Sequence, residues 1–123
     1  MGENTTPKKF LSPKKLIAAI VDAARDKLAK DIRILDIAQK SSVASHFVIC
    51  SGESAPQIKA IANHIADKLD DLRHKTISLE GSAKSGWIIL DTGAVLVHIM
   101  EPTVRAFYNL EELWGKCGII YHE

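Results

Sequence analysis

Apolar residues recur at helical spacing in two long stretches of this chain and crowd into short strand-like runs between and after them. Leu16, Ile17, Ile20, Val21, Ala24 and Leu28 follow the three-and-four spacing of one buried helix stripe. Ser12-Pro13 precedes it as an N-cap with proline at the first helical position. Ile58, Ile61, Ala62, Ile65, Leu69 and Leu72 repeat the pattern. Ser54 and Gln57 ahead of them have capping-box spacing, with Pro56 in the first turn. Residues 32–37 (IRILDI) and 43–50 (VASHFVIC) read as strands joined by the polar link 39–42, and SGES at 51–54 breaks the second. Residues 75–79 read as another strand and 81–86 as a loop. WIILD at 87–91 and AVLVHIM at 94–100, joined through Thr92-Gly93, describe a β-hairpin. Pro102 ends the hairpin, and residues 103–114 read as one or two short helical turns with Phe107, Leu110, Leu113 and Trp114 facing inward.

The order α-β-β-α-β-β-β-α predicts an α/β, or layered α+β, domain with a mixed sheet of about five strands. The two long helices are expected on one sheet face, with a right-handed crossover between residues 43 and 79. Residues 1–11 are expected to be a flexible lead, 12–118 a single domain and 119–123 a tail. Alternation along the hairpin puts Trp87, Ile89 and Asp91 with Leu96, His98 and Met100 on the face away from the helices. No third long helix follows to cover them, so an exposed apolar patch that takes a partner is expected. The alternative is that the C-terminal segment folds back over it.

Composition sharpens the functional classes. The chain has 123 residues, 46% apolar and 25% charged, an ordinary globular balance. Sixteen Lys and Arg face fifteen Asp and Glu, which disfavours a protein that works mainly by gripping phosphates. The basic excess lies near the start, with seven basic and three acidic groups in residues 1–30. Residues 101–123 reverse it, with two basic and four acidic. No apolar run is long enough to span a membrane, and no secretory leader is visible, so a cytoplasmic protein is expected. Cys50 reads as a buried small hydrophobe and is far from Cys117 in sequence.

Chemistry-bearing motifs are sparse. His46, His64, His74, His98 and His122 form no metal-ligating spacing, and His98 reads as a structural histidine. There is no nucleophile elbow or phosphate loop. SGES after an apolar strand resembles the opening of a nucleotidyltransferase site, but that chemistry needs carboxylates converging on a metal. Asp36 and Asp91 are single strand carboxylates. The plainer reading is that Gly52 turns the chain and Ser54 caps a helix.

Several separated segments together resemble the ribosomal silencing factor, or Iojap-like, family. They are LDI at 35–37 with Ser41-Ser42, FVICSGES at 47–54, IANHI at 61–65, Glu80-Gly81, Trp87, LDTG at 90–93, VHIM at 97–100, Arg105, Tyr108, Leu110-Glu111 and Leu113-Trp114. The resemblance implies a nucleotidyltransferase-like fold without its active site, no enzymatic activity and no cofactor. It implies docking on the large ribosomal subunit through universal large-subunit protein fourteen, which blocks small-subunit joining and represses translation. An organellar-type assembly role at the same dock is the alternative; a metal-dependent nucleotidyltransferase and a homodimer using the same face are the others. Trp87, His98, Arg105 and Tyr108 carry over as partner-binding residues. Strand geometry adds Met100 and Glu101, with Glu101, Arg105 and Tyr108 expected as a polar rim. Ser45, Pro56 and Ala94 depart from the family pattern, which has acidic residues at the first and last and Arg at the second.

Overall fold

The computed structural model describes residues 11–114 and 119–122. Its elements are α1 (Pro13–Asp26), β1 (Lys30–Asp36), β2 (His46–Ser51), α2 (Ala55–Asp71), β3 (Ser78–Ser82), β4 (Trp87–Asp91), β5 (Val95–Met100), α3 (Pro102–Tyr108), α4 (Leu110–Trp114) and β6 (Ile119–His122). The strands form one six-stranded sheet in the order β3-β4-β5-β2-β1-β6. Only β2 and β5 pair in parallel; every other neighbour pair is antiparallel. The mixed α+β layering is as the pattern predicts, with one strand more than expected. The extra strand is β6, drawn from the segment read as a tail and paired with residues 33–35 of β1. Residues 1–10 of the expected flexible lead, and Cys117, lie outside the described residues.

Local signals account for both long helices. Ser12 accepts the Lys15 N–H at 3.4 Å and caps α1. Ser54 accepts the Gln57 N–H at 3.2 Å and caps α2. Gln57 does not complete the expected reciprocal box: its Oε1 accepts the Glu53 N–H at 2.7 Å. Its amide nitrogen donates to the carbonyls of Lys27 and Leu28 at 3.2 and 3.1 Å. One side chain thus satisfies orphan groups at the start of α2 and the end of α1. Leu28, expected on the α1 stripe, is exposed because α1 stops at Asp26 and Leu28 itself sits at a positive φ of 62°.

Strand boundaries shift where turn chemistry competes with apolar character. Val43 and Ala44 do not join β2, because Ser41 Oγ accepts both of their N–H groups, at 3.1 and 3.2 Å. The strand read at 75–79 is instead Ser78–Ser82. Gly81 and Ser82, read as loop, pair with Ile88 and Trp87. Gly81 has φ +82°, and a Cβ there would lie 2.2 Å from the Trp87 carbonyl oxygen, so glycine extends the edge strand past a kink that closes it to other residues.

Two cores sandwich the sheet. The larger joins α1 and α2 to Ile32, Ile34, Val48, Cys50, Ile88, Leu90, Val95, Val97 and Ile99. The smaller contains Leu35, Ile37, Ala44, Phe47, Ile49 and Met100, with Trp87, Leu96, Val104, Leu110 and Trp114 packed against it. The second face is therefore not open. α3 and α4 fold back across part of it, the alternative that the hairpin alternation leaves standing.

Candidate functional site

Register brings the expected residues together. Trp87 lies opposite Met100 and Ile89 opposite His98 across the β4–β5 pair, so Trp87, Met100 and His98 share the face covered by α3 and α4. The Trp87 indole N–H donates to His98 Nδ1 at 3.1 Å. Indole nitrogen only donates, so Nδ1 accepts and the imidazole proton sits on Nε2. His98 is also stacked edge-on against Phe47, centroids 4.5 Å apart, and Phe47 meets Trp114 at 5.2 Å. On its other side Trp87 meets Tyr108 at 4.8 Å, and Tyr108 meets Phe107 at 5.0 Å. Six rings thus run in sequence from the small core to the surface, where Phe107 is 79% and Tyr108 53% exposed.

Two expectations about this face are corrected. Met100 and His98 are buried, not part of an exposed patch, because Val104, Leu110 and Trp114 complete the small core above them. Arg105 is buried rather than at a polar rim. Its Nε donates to Glu111 Oε2 at 2.8 Å and its Nη1 to Ser51 Oγ at 2.8 Å. Its Nη2 lies 2.6 Å from the same carboxylate oxygen. Glu101 caps α3, with Oε1 accepting the N–H groups of Thr103 and Val104 at 2.9 and 3.1 Å. Trp87 is half-buried, and Tyr108 is the expected contact residue that faces solvent.

Phe107 and Leu113 lie on the side opposite to the one their apolar character predicts: both are expected inward, and both are exposed. Val104 and Arg105 take the inner side of α3, and Asn109, left-handed at φ 48°, breaks the helical phase before α4. After the break Leu110 and Trp114, four residues apart, turn in and Leu113 turns out. An apolar ring beside a buried arginine on so short a helix gives no periodic signal of its exposure.

Burial lowers the His98 pKa from 6.5 to about 4, because the charged ring would lose water with no acidic partner to compensate. The unfolded chain then binds this proton more readily than the folded one, so stability is full above about pH 6.5 and falls as pH drops towards 4. Between pH 7 and pH 5 the loss is expected to be about 2 kcal/mol. Urea denaturation at the two pH values checks it, and His98→Phe is expected to flatten that part of the profile.

The nucleotidyltransferase elements do not converge. Asp36 is opposite His46 and Asp91 opposite Leu96, at the end of the sheet where β2 and β5 begin. The SGES turn lies where β2 finishes. Asp36 and Asp91 also stand three strands apart, about 14 Å at the usual strand spacing. Among the described residues no group of three or more His, Cys, Asp or Glu could hold a metal ion. Ser54 acts as a helix cap, and Ser54→Ala is expected to cost about 1 kcal/mol in urea denaturation with no change in fold. Ser45 and Ala94 adjoin each other, with Ser45 N–H and Oγ donating to the Ala94 carbonyl at 2.8 and 3.1 Å. They sit where β2 and β5 begin, and Pro56 is in the first turn of α2, so none of the three departures falls within the ring series.

The family model described as "Ribosomal silencing factor during starvation" matches residues 11–123. The chain is 37% identical over 103 residues to the ribosomal silencing factor of Zymomonas mobilis, covering 84% of this chain and 77% of that one. It is 38% identical over 109 residues to that of Bacillus subtilis, covering 89% and 92%. A crystal structure of a Chromobacterium violaceum protein superimposes with a TM-score of 0.82 at 32% identity, covering 85% of this chain and 88% of the other.

Proposed function

The chain belongs to the ribosomal silencing factor family, and from that membership we propose that it is a cytoplasmic, non-enzymatic repressor of translation that docks on the large ribosomal subunit. The dock is a protein surface, universal large-subunit protein fourteen, and the bound domain blocks the small subunit by overlap. The ring series ending in exposed Tyr108 and Phe107 carries this reading. Aromatic side chains anchor protein interfaces because they bury a large area at little entropic cost. A near-neutral chain suits a protein target better than a naked RNA one.

Within that reading the residues divide by role. Tyr108, Phe107 and the exposed part of Trp87 contact the partner. His98 and Met100 fix Trp87 from below. Glu101 starts α3, and Arg105 clamps it to the sheet. The interface centre is apolar, and the exposed Glu112 on α4 supplies acidic character suited to a basic ribosomal protein.

Co-pelleting with isolated subunits tests the proposal. Binding to the large subunit alone, retained at moderate salt and accompanied by loss of subunit joining, is the expected result. Binding to both subunits that vanishes with modest salt would overturn it, since that marks adhesion to phosphate.

A further inference from the structure

The opposite border of the sheet carries a second surface, independent of the ring series. β3 is an edge strand, so alternate peptide groups along Ser78–Ser82 face outward without a strand partner. Leu79 pairs with Leu90 of the larger core and so points towards the helix layer, yet it is 51% exposed. Ile77, just before the strand, is 64% exposed. Between β3 and α2 runs a groove of about 350 Å³, lined by Lys59, Ala62, Leu79, Ala83, Lys84 and Ile88 among others. Its floor is aliphatic, its charged lining is two lysines, and no carboxylate lines it.

We propose that this groove binds an extended acidic–apolar segment of another protein, which adds to the sheet as a strand beside β3. A free edge next to a helix is the geometry of strand addition, in which main-chain hydrogen bonds give affinity and alternate side chains give specificity. Residues of the added strand that point towards α2 fill the space over Ala62, Leu79 and Ile88. Carboxylates two residues before and after them, on the same face, reach Lys59 and Lys84. Charge decides between occupants. Residues 1–10 of this chain carry Lys8 and Lys9 against Glu3, the same sign as the groove. A second copy, paired two-fold about the strand centre, sets Glu80 against Glu80 and brings no carboxylate to the α2-facing side, since Glu80 is the acidic residue of Ser78–Ser82 and points the other way. A strand of a different protein that carries its carboxylates on the α2-facing side meets neither penalty.

The test uses the full chain, isotope-labelled for amide NMR, and two pools of capped seven-residue peptides. Both pools carry Val, Ile or Leu at the middle of one face, charged residues at the two ends of that same face and Ser or Thr on the other face, with Asp and Glu in one pool and Lys and Arg in the other. The acidic pool is expected to shift the amides of Ser78–Ser82, Lys59 and Lys84, and the basic pool is not. Lys59→Glu with Lys84→Glu, both exposed positions, is expected to weaken the acidic peptides at least about tenfold with the fold retained by circular dichroism. Peptides methylated on the backbone nitrogens that face β3 are expected to lose binding, because strand addition needs those donors. Equal shifts from both pools, no shift at β3 from the acidic pool, or unchanged affinity in the charge-reversed variant would each overturn the proposal. Self-association abolished by the same charge reversal would assign the edge to a second copy instead.

Discussion

Removing the Phe107 and Tyr108 rings together, as Phe107→Ala with Tyr108→Ala, is expected to weaken binding to the large ribosomal subunit at least about a hundredfold while the melting temperature holds. Both rings are mostly in solvent, so the free protein loses little packing when they go. Each exposed aromatic at the centre of an interface contributes about 2 kcal/mol or more when a partner buries it, and two of them account for the hundredfold. Trp87→Ala is the less informative variant. Trp87 packs against the small core and donates to His98, so its loss mixes binding with stability. Quantitative co-pelleting of the double variant against the parent protein decides the matter. Undiminished affinity in a folded variant would move the interface off α3.

Arg105→Met is expected to destabilise the fold by about 2–3 kcal/mol. The guanidinium holds three elements at once. It bonds Glu111 on α4 and Ser51 at the end of β2 while standing on α3. Truncation leaves the Glu111 carboxylate, whose side chain is only 13% exposed, with the longer Arg33 Nη1 contact at 3.8 Å, and leaves the Ser51 hydroxyl without this donor. A buried carboxylate that keeps one distant cation and loses its two short donors still costs more than the pair itself contributes. Arg105→Met combined with Glu111→Leu is therefore expected to recover part of the loss, since Arg33 gives up Glu111 but keeps Asp31 at 3.8 Å. Urea denaturation of the two single variants and the double closes the cycle. A single-variant loss below about 1 kcal/mol would mark the pair as solvent-screened. If the cycle holds, α3 loosens in Arg105→Met, and large-subunit binding is expected to fall with it although Arg105 itself is buried.

These two residues show where the reading of the chain succeeds and stops. Alternation along β4 and β5 correctly places Trp87, His98 and Met100 on one face, because strand period is a property of the backbone. It says nothing of what lies over that face. An arginine reads as surface, yet Arg105 is buried by a carboxylate six residues on and a hydroxyl 54 residues away. A phenylalanine reads as core, yet Phe107 is exposed because the inner side of α3 is taken.

By itself the sequence determined both long helices with their serine caps, the β4–β5 hairpin and the layered α+β class. Each of these rests on periodicity and on side chains that bond within three or four residues of themselves. Tertiary structure alone decided the sixth strand, the parallel pairing of β2 with β5, the covering of the second face and the exposed end of the ring series. Those depend on contacts between segments far apart in the chain, whose burial is settled by shape and charge when the layers close and leaves no local pattern to read.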